Sequence, residues 1–176
     1  LDDFARRFYG VPADDGSHVV NTFTFEDVVE NLNAVMPYDW ATFLRDRFEA
    51  AGTEPPLAGL ERGGYRLVYT EERSGYQRAA ESYGKSASFA YSIGIGFGEG
   101  NTVTSVQWDS PAFNAGITTG AQILAVNGEN YSAEVLRRAI TAAKETTTPI
   151  ELIVRNGDAY RTVRLDYHDG LRYPHL

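Results

Sequence analysis

Side chains that commonly ligate metals or act as nucleophiles are sparse in this chain. The three histidines are His18, His168 and His175, too scattered for the helical HExxH zinc motif, and GxSxG is also missing. Cysteine is absent, which excludes a disulfide, a thiolate metal site and a cysteine nucleophile. His168 and His175 flank Asp169, which leaves two interpretations, a metal clip and a solvated tail, and the tail is favoured. The chain alone is therefore expected to contain no catalytic or metal-binding residue.

Two glycine-rich stretches match phosphate-binding loop motifs only in part. The run 94–100 has Glu99 where a dinucleotide fingerprint needs its third glycine, and turn residues follow it instead of a helix. The segment Gly84-Lys85-Ser86 ends like a P-loop, but Ala79 stands where the first glycine belongs. Because no helix dipole is available to hold a phosphate, nucleotide binding is not expected.

The composition is typical of globular proteins, and the charge narrows the choice of partners. Of the 176 residues, 43% are apolar and 23% are charged, which suits one or two packed domains. The net charge of -8 argues against nucleic acid and anionic membranes as partners, since both attract clustered Lys and Arg. No apolar run approaches the ~20 residues that span a bilayer. The chain begins without Met or a signal-peptide pattern, so we expect it to be a piece of a longer protein. Its composition does not indicate a cellular compartment.

The first part of the chain is predicted to be helical. Residues 1–9 place apolar side chains at helical spacing and resemble the last turns of a helix. Thr24 and Asp27 have the spacing of a capping box, and an apolar stripe follows them. Asp39 can cap a further helix, which Gly52 is expected to end. Two short antiparallel helices should result from these last two signals.

The middle of the chain contains the predicted domain boundary. Residues 53–64 are rich in Pro and Gly and form a connector, and residues 65–69 alternate in character as a strand does. The stretch that follows is polar and without a clear period. The predicted organisation is a helical segment with a short strand over 1–70, a linker over 71–85, a second domain over 86–168 and a tail over 169–176.

The second half combines strands with two helices. The strong signals are turn residues at fixed places, above all Asn156-Gly157-Asp158 between two apolar runs. A serine followed by proline predicts a short helix from Ser110, and an apolar face capped by Ser132 predicts a long one. The predicted order is a glycine-interrupted strand at 88–97, a turn at 98–101, a strand at 102–108, a helix at 110–116, a strand at 122–126, a helix at 132–144, and strands at 150–155 and 160–165.

This order and its motifs resemble a PDZ domain of the bacterial type over about 86–167. The segments that carry the resemblance are Ser92-Ile93-Gly94-Ile95, Ser110-Pro111-Ala112, Ala115-Gly116-Ile117 and the run 120–128, which ends in Val126-Asn127-Gly128. Ala121 departs from the pattern, since such domains usually carry Asp there. The resemblance implies an α+β fold, in which a small helical segment precedes a PDZ-like, partly open β-barrel capped by two helices.

The resemblance also implies a groove to which a peptide C-terminus adds as a strand. It assigns Ile93, Gly94 and Ile95 to a loop whose backbone amides bind the carboxylate, since such a nest needs a residue that tolerates unusual backbone angles. Ile95 and Phe97 would lie along the groove. Three residues of the long helix would face it: Ala133, Arg137 and Ile140.

Two alternatives to this assignment stay open. In the first, Gly94–Phe97 is the loop, which leaves almost no strand before the turn at 98–101. In the second, Gly94 and Gly96 only relieve crowding between strands or form a bulge.

The assigned frame predicts the ligand preference of the groove. Ile93, Ile95 and Ile140 would line the pocket for the terminal side chain, so we expect an apolar residue there. Ala133 stands where PDZ domains that select Ser or Thr two residues earlier carry His, so no such preference is expected.

Further segments resemble the glycyl aminopeptidase family of bacterial zinc metallopeptidases. They are Leu1-Asp2-Asp3-Phe4-Ala5, Pro37-Tyr38-Asp39-Trp40, the run 60–69 and the run 165–176. Members of that family carry a thermolysin-like zinc domain and a C-terminal PDZ domain. The resemblance implies that the HExxH motif and its zinc lie upstream of Leu1, so no metal ligand falls on these residues.

Two functions follow from the resemblance. In the first, this non-catalytic region binds peptide C-termini or extended substrate segments next to the upstream catalytic domain of the same polypeptide. In the second, the groove is filled from within, and the domain stabilises or oligomerises the peptidase without an external ligand. A structure in which the chain's own residues occupy the groove would favour the second.

Overall fold

The computed structural model describes residues 1–9, 22–49 and 57–176 and divides the chain into two compact units. Unit 1 is Leu1–Gly59 and unit 2 is Leu60–Leu176. The division therefore precedes the polar stretch 71–85, where the sequence had suggested the boundary. His18 and Gly52, the predicted end of a helix, lie outside the described residues.

Unit 1 contains three described helices, α1 (Asp2–Tyr9), α2 (Phe25–Val35) and α3 (Trp40–Phe48). The capping box of α2 is confirmed, because the Thr24 hydroxyl accepts from the Asp27 amide at 3.2 Å and Asp27 accepts from the Thr24 amide at 2.8 Å. The Thr24 amide and the Thr24 hydroxyl both donate to the Asp27 carboxylate, and these two hydrogen bonds lower the pKa of that carboxyl. The cap of α3 is confirmed too, since Asp39 accepts from the Thr42 amide at 3.1 Å.

A short helix, a short strand and a longer helix follow along the chain, and the sequence did not predict the last of these three elements. These are α4 (Ala58–Arg62), β1 (Val68–Thr70) and α5 (Gly75–Tyr83). The hydroxyl of Ser74 accepts from the Gln77 amide at 3.1 Å and begins α5 inside the stretch that was expected to be a linker. Glu81, on the last turns of α5, is buried with 8% of its surface exposed.

Two open sheets and two helices form most of unit 2. The first sheet has the order β2-β3-β4, with β2 (Ala87–Phe89), β3 (Ile95–Phe97) and β4 (Val103–Val106), and α6 (Pro111–Asn114) follows it. The second has the order β6-β5-β7-β8. Its strands and the long helix are β5 (Gln122–Val126), β6 (Glu129–Asn130), α7 (Ala133–Ala143), β7 (Ile150–Asn156) and β8 (Ala159–Leu165).

The last strand, β9 (Tyr173–His175), pairs antiparallel with β1. Val68 lies opposite His175, and Thr70 lies opposite Tyr173. The Tyr173 ring is buried, with 2% of its surface exposed. The end of the chain thus differs from the solvated tail that the sequence suggested, because it completes a two-stranded sheet with residues about a hundred positions earlier.

The predicted α+β class is confirmed, and the described sheets stay open instead of closing into a barrel. The burial of β7 alternates, with inward side chains at every second residue, as one buried sheet face requires. Across the described residues, no helix is both long and apolar enough to cross a membrane. The largest fully buried aliphatic side chains form one core: Ile93, Ile95, Ile117, Ile123, Leu136, Ile140, Ile150, Leu152 and Leu165.

Ser132 fixes the start of α7, which packs four buried residues on this core. Its hydroxyl accepts from the Val135 amide at 3.1 Å and so satisfies a donor that the helix leaves unpaired. Replacing Ser132 with Ala should lower the free energy of unfolding by about 1 kcal/mol, whereas Gly should cost only a few tenths. Urea unfolding followed by circular dichroism measures the difference, and equal midpoints for both variants would contradict the capping role.

Candidate functional site

The loop that carries the predicted site lies between β2 and β3. Gly94 has φ +82°, and a Cβ built on it would lie 2.1 Å from the Ser110 Cβ and 2.2 Å from its Oγ. Glycine is required here because the loop packs directly on the N-cap of α6. At Gly96 a Cβ would lie 2.4 Å from the Ser105 Oγ, and the register of β3 against β4 shifts between Gly96 and Phe97. Glycine thus avoids a close contact with Ser110 at position 94 and with Ser105 at position 96, and the assignment of this loop to a ligand carboxylate stays a prediction.

The amides of this loop bind a carbonyl group of the chain itself. The Ser92 and Gly94 amides donate to the Phe89 carbonyl oxygen at 3.1 Å and 3.0 Å. Two amides that converge on one oxygen form the arrangement that would receive one oxygen of a peptide carboxylate. In the described structure that oxygen belongs to the last residue of β2.

Both edges of β3 are already paired within the sheet. On one side lies β4, and on the other lies β2, which runs antiparallel with Ala87 opposite Phe97 and Phe89 opposite Ile95. A peptide that adds to the second edge of β3 with its C-terminus at the loop would have the same direction and the same end point as β2. β2 therefore occupies the position that the sequence assigned to a ligand strand.

Phe89 is a buried aromatic residue at the end of β2, next to the loop. Its side chain has 1% of its surface exposed, and its ring lies 5.9 Å from that of Phe97 in an edge-to-face arrangement. The Arg137 guanidinium of α7 lies 5.4 Å from the Phe89 ring centroid, within the range of a cation–π contact. Phe89 thus lies beside Phe97 and Arg137, two of the residues that the sequence assigned to the groove.

Glu81 joins α5 to both sides of this site. Its Oε1 accepts from the Ser88 amide of β2 at 3.0 Å, and its Oε2 accepts from Arg73 at 2.9 Å and from Arg137 at 3.1 Å. Arg137 also donates from Nε to the Tyr173 hydroxyl at 3.4 Å. Burial lowers the pKa of Arg137, but the bond to Tyr173 and the charge of Glu81 outweigh burial and leave that pKa raised. The ion pair between Glu81 and Arg137 therefore keeps its cation over the whole physiological pH range.

Not every predicted site residue is available to a ligand. Ile93, Ile95 and Ile140 are fully buried in the core, and Phe97 has 2% of its surface exposed. Ala133 is half-buried. Of the predicted helix residues, Arg137 makes the described contact to β2, through the Phe89 ring. Of the predicted residues, those with described contacts to β2 are Gly94, Ile95, Phe97 and Arg137, and the ligand preference assigned to the set stays a prediction.

Phe89 and Glu81 are residues of the candidate site that the sequence did not reveal. Glu81 lies in the stretch expected to be a linker, although Ser74 and Gln77 have the spacing of a capping box and could have predicted α5. Phe89 was included in a strand, but no signal in the sequence showed that this strand folds back on β3. A hairpin of two three-residue strands is too short to show a clear alternation.

The two described histidines form hydrogen bonds within unit 2. His168 Nδ1 lies 2.8 Å from the Ala143 carbonyl oxygen and Nε2 lies 2.9 Å from Asp166 Oδ1, while His175 Nε2 lies 2.8 Å from the Glu72 carbonyl oxygen. Over residues 1–9, 22–49 and 57–176, no three His, Cys, Asp or Glu side chains come together as a metal site would require.

The contacts of His168 predict a pH dependence of stability. The bonds to the Ala143 carbonyl and to Asp166 raise the pKa of His168 above 6.5, because both ring nitrogens can donate only when the ring is protonated. The stabilisation is therefore complete below the unfolded pKa and is lost as the pH rises through the higher folded pKa. Thermal unfolding measured from pH 5.5 to 8.5 should show a decline that His168→Gln reduces, and identical profiles would contradict it.

Comparisons with known proteins support the fold. The sequence matches no family model, and a comparison with curated proteins returns no match. Among solved structures, an aminopeptidase N family protein from Idiomarina loihiensis is 16% identical with a TM-score of 0.54 and covers 88% of this chain. The HtrA3 PDZ domain bound to a phage-derived ligand is 18% identical with a TM-score of 0.34, covering 62% of this chain and 84% of that domain. This chain spans 27% of the aminopeptidase chain, with which it shares a fold.

Proposed function

We propose that this chain is the non-catalytic C-terminal region of a zinc aminopeptidase, and that unit 2 is a PDZ-like module with a structural role. The fold shared with part of an aminopeptidase N family protein supports the peptidase context. The resemblance to glycyl aminopeptidases supports it independently through residues at both ends of the chain. The zinc and the catalytic residues belong to the rest of that peptidase.

The observation that carries the structural role is the self-occupied edge of β3. β2 supplies the strand, Phe89 fills the pocket and its carbonyl oxygen accepts from the loop amides. A module that satisfies its own ligand-binding groups gains stability without a partner, because the backbone donors of an open sheet edge are paired. The module would then stabilise the peptidase, as the second hypothesis from the sequence holds.

A peptide titration tests the structural role. Peptides that end in Leu, Val or Phe, with a free carboxylate or a C-terminal amide, should show no saturable binding to the unmodified chain at up to about 100 µM in fluorescence anisotropy. Micromolar binding that amidation abolishes would contradict it and would support the first hypothesis, in which the groove takes external peptide C-termini.

An activity assay tests the non-catalytic part of the proposal. The chain should hydrolyse no aminoacyl-p-nitroanilide with or without added zinc, because the proposal places the metal site elsewhere in the peptidase. Zinc-dependent turnover by the purified chain, absent from a mock purification, would contradict it.

A further inference from the structure

We propose that β2 is a displaceable occupant of its site and that the Glu81 carboxylate is the latch that retains it. When the latch is weakened, the site takes a peptide whose free C-terminus ends in Phe. This inference rests on the proposed function, since it assumes the self-occupied edge of β3. It adds how the site is opened and which class of peptide then binds there.

Few backbone contacts hold β2 on β3. The strand has three residues, and its register with β3 spans only Ala87 to Phe89. Such a short hairpin is marginal by itself and depends on side-chain contacts. Its outward amide at Ser88 would be unpaired without Glu81, which accepts from it at 3.0 Å. Retention of β2 therefore depends on groups outside the sheet.

Glu81 connects these groups. Its two oxygens bind the Ser88 amide on β2, Arg137 on α7 and Arg73 before α5. With 9% of its side chain exposed, the carboxylate is poorly screened by solvent, in contrast with the surface ion pairs of unit 2. Neutralising it leaves Arg137 near Phe89 without its buried counter-ion. The same change weakens the contacts of β2 and of α7.

The covalent attachment of β2 explains why a free peptide would bind only weakly to the unmodified chain. A short loop of 90–94 keeps β2 beside β3. A tethered segment competes at an effective concentration of roughly millimolar. A free peptide with an intrinsic Kd of about 1 µM would then bind about a thousandfold more weakly.

The sequence of β2 defines the class of ligand. Phe89 is buried with 1% of its surface exposed and Ala87 with 6%, whereas Ser88 is half-buried and its amide faces Glu81. An entering peptide should therefore carry Phe at its free C-terminus, a small residue two positions earlier, and a polar residue between them. Its carboxylate would take the place of the Phe89 carbonyl at the Ser92 and Gly94 amides.

The test uses a fluorescein-labelled peptide that ends in Ala-Ser-Phe with a free carboxylate. Glu81→Gln, which keeps the side-chain volume, should bind it at least about a hundredfold more tightly than the unmodified chain. Glu134→Gln is the matched control, because Glu134 also contacts Arg137, at 3.3 Å, but has 76% of its side chain exposed. That variant should bind no better than the unmodified chain. The C-terminal amide and a peptide ending in Ala-Ser-Ala should not bind Glu81→Gln.

The outcomes separate this inference from the proposed function. If Glu81→Gln has the circular dichroism spectrum of the unmodified chain and still does not bind, the latch is wrong while the structural role stands. If the unmodified chain binds as tightly as the variant, the proposed structural role is wrong as well. Should Glu81→Gln fail to fold, Arg137→Gln removes one partner of the latch and should also raise the affinity for the peptide, by less because the Ser88 amide and Arg73 still bind Glu81. A folded Arg137→Gln without that gain would overturn the inference.

Discussion

Replacing Phe89 with Ala should destabilise unit 2 by about 3–5 kcal/mol, the usual cost of removing a buried Phe. The ring has 1% of its surface exposed and contacts Phe97 and Arg137, so its removal leaves a cavity and an arginine without its aromatic neighbour. The loss should appear as a lower urea midpoint with an unchanged denaturant slope. The variant matters because Phe89 is the proposed internal substitute for a ligand residue.

Tyr83→Ala is the matched control for Phe89→Ala. Tyr83 is also an aromatic residue close to β2 in the sequence, but it is 96% exposed at the end of α5. Its replacement should change the free energy of unfolding by less than about 0.5 kcal/mol, as is usual at the surface. Equal effects of the two substitutions would show that Phe89 does not fill a pocket.

Replacing Gly94 with Val should be as damaging, at roughly 3–5 kcal/mol, because backbone strain and overpacking both contribute. The φ of +82° disfavours any residue with a Cβ, and the new atom would lie 2.1 Å from the Ser110 Cβ. Differential scanning calorimetry should show a clearly lower Tm.

Gly100→Val separates the two contributions, since Gly100 has φ +78° but no atom within 4 Å of a built Cβ. It should show the strain alone, at roughly 1–3 kcal/mol. A Gly94→Val loss no larger than that of Gly100→Val would contradict the close packing on Ser110.

This packing changes the use of Gly94 as a probe of ligand binding. Considered from the sequence alone, Gly94→Val is a test of whether the loop binds a carboxylate, provided that the domain stays folded. The structure gives the glycine a second role in seating the loop on α6, so loss of binding in that variant would report unfolding. Glu81→Gln is the better probe, because the amide keeps the volume of the carboxylate.

Much of the fold could be predicted because its signals are local. The Thr24 and Asp39 caps and the Ser132 cap depend on residues three positions apart, and all three are confirmed. The hairpin around Gly157 follows from turn residues between apolar runs, and the observed register pairs Asn156 with Ala159.

The remaining features depend on contacts that are distant in the sequence. Glu81 is buried by Arg137, 56 positions away, and nothing in the local sequence of a polar helix predicts that partner. β9 pairs with β1 across about a hundred residues, although its own segment contains proline and histidine. The sequence placed the candidate site at the loop before β3, and that assignment stays a prediction. The pairing of β2 with β3 was missed because a three-residue strand has too few side chains to show which edge it joins.

Hydrogen exchange at the Gly94 amide tests the self-occupied site most directly. This amide donates at 3.0 Å to the carbonyl of Phe89, the last residue of β2, which holds the position proposed for a ligand carboxylate. In the ligand-free chain, NMR should show it exchanging at least about a hundredfold more slowly than in an unstructured peptide of the same sequence. Adding a peptide that ends in Ala-Ser-Phe at equimolar concentration should not change that rate. Rapid exchange in the free chain, followed by protection on addition of the peptide, would show an open groove and contradict the account.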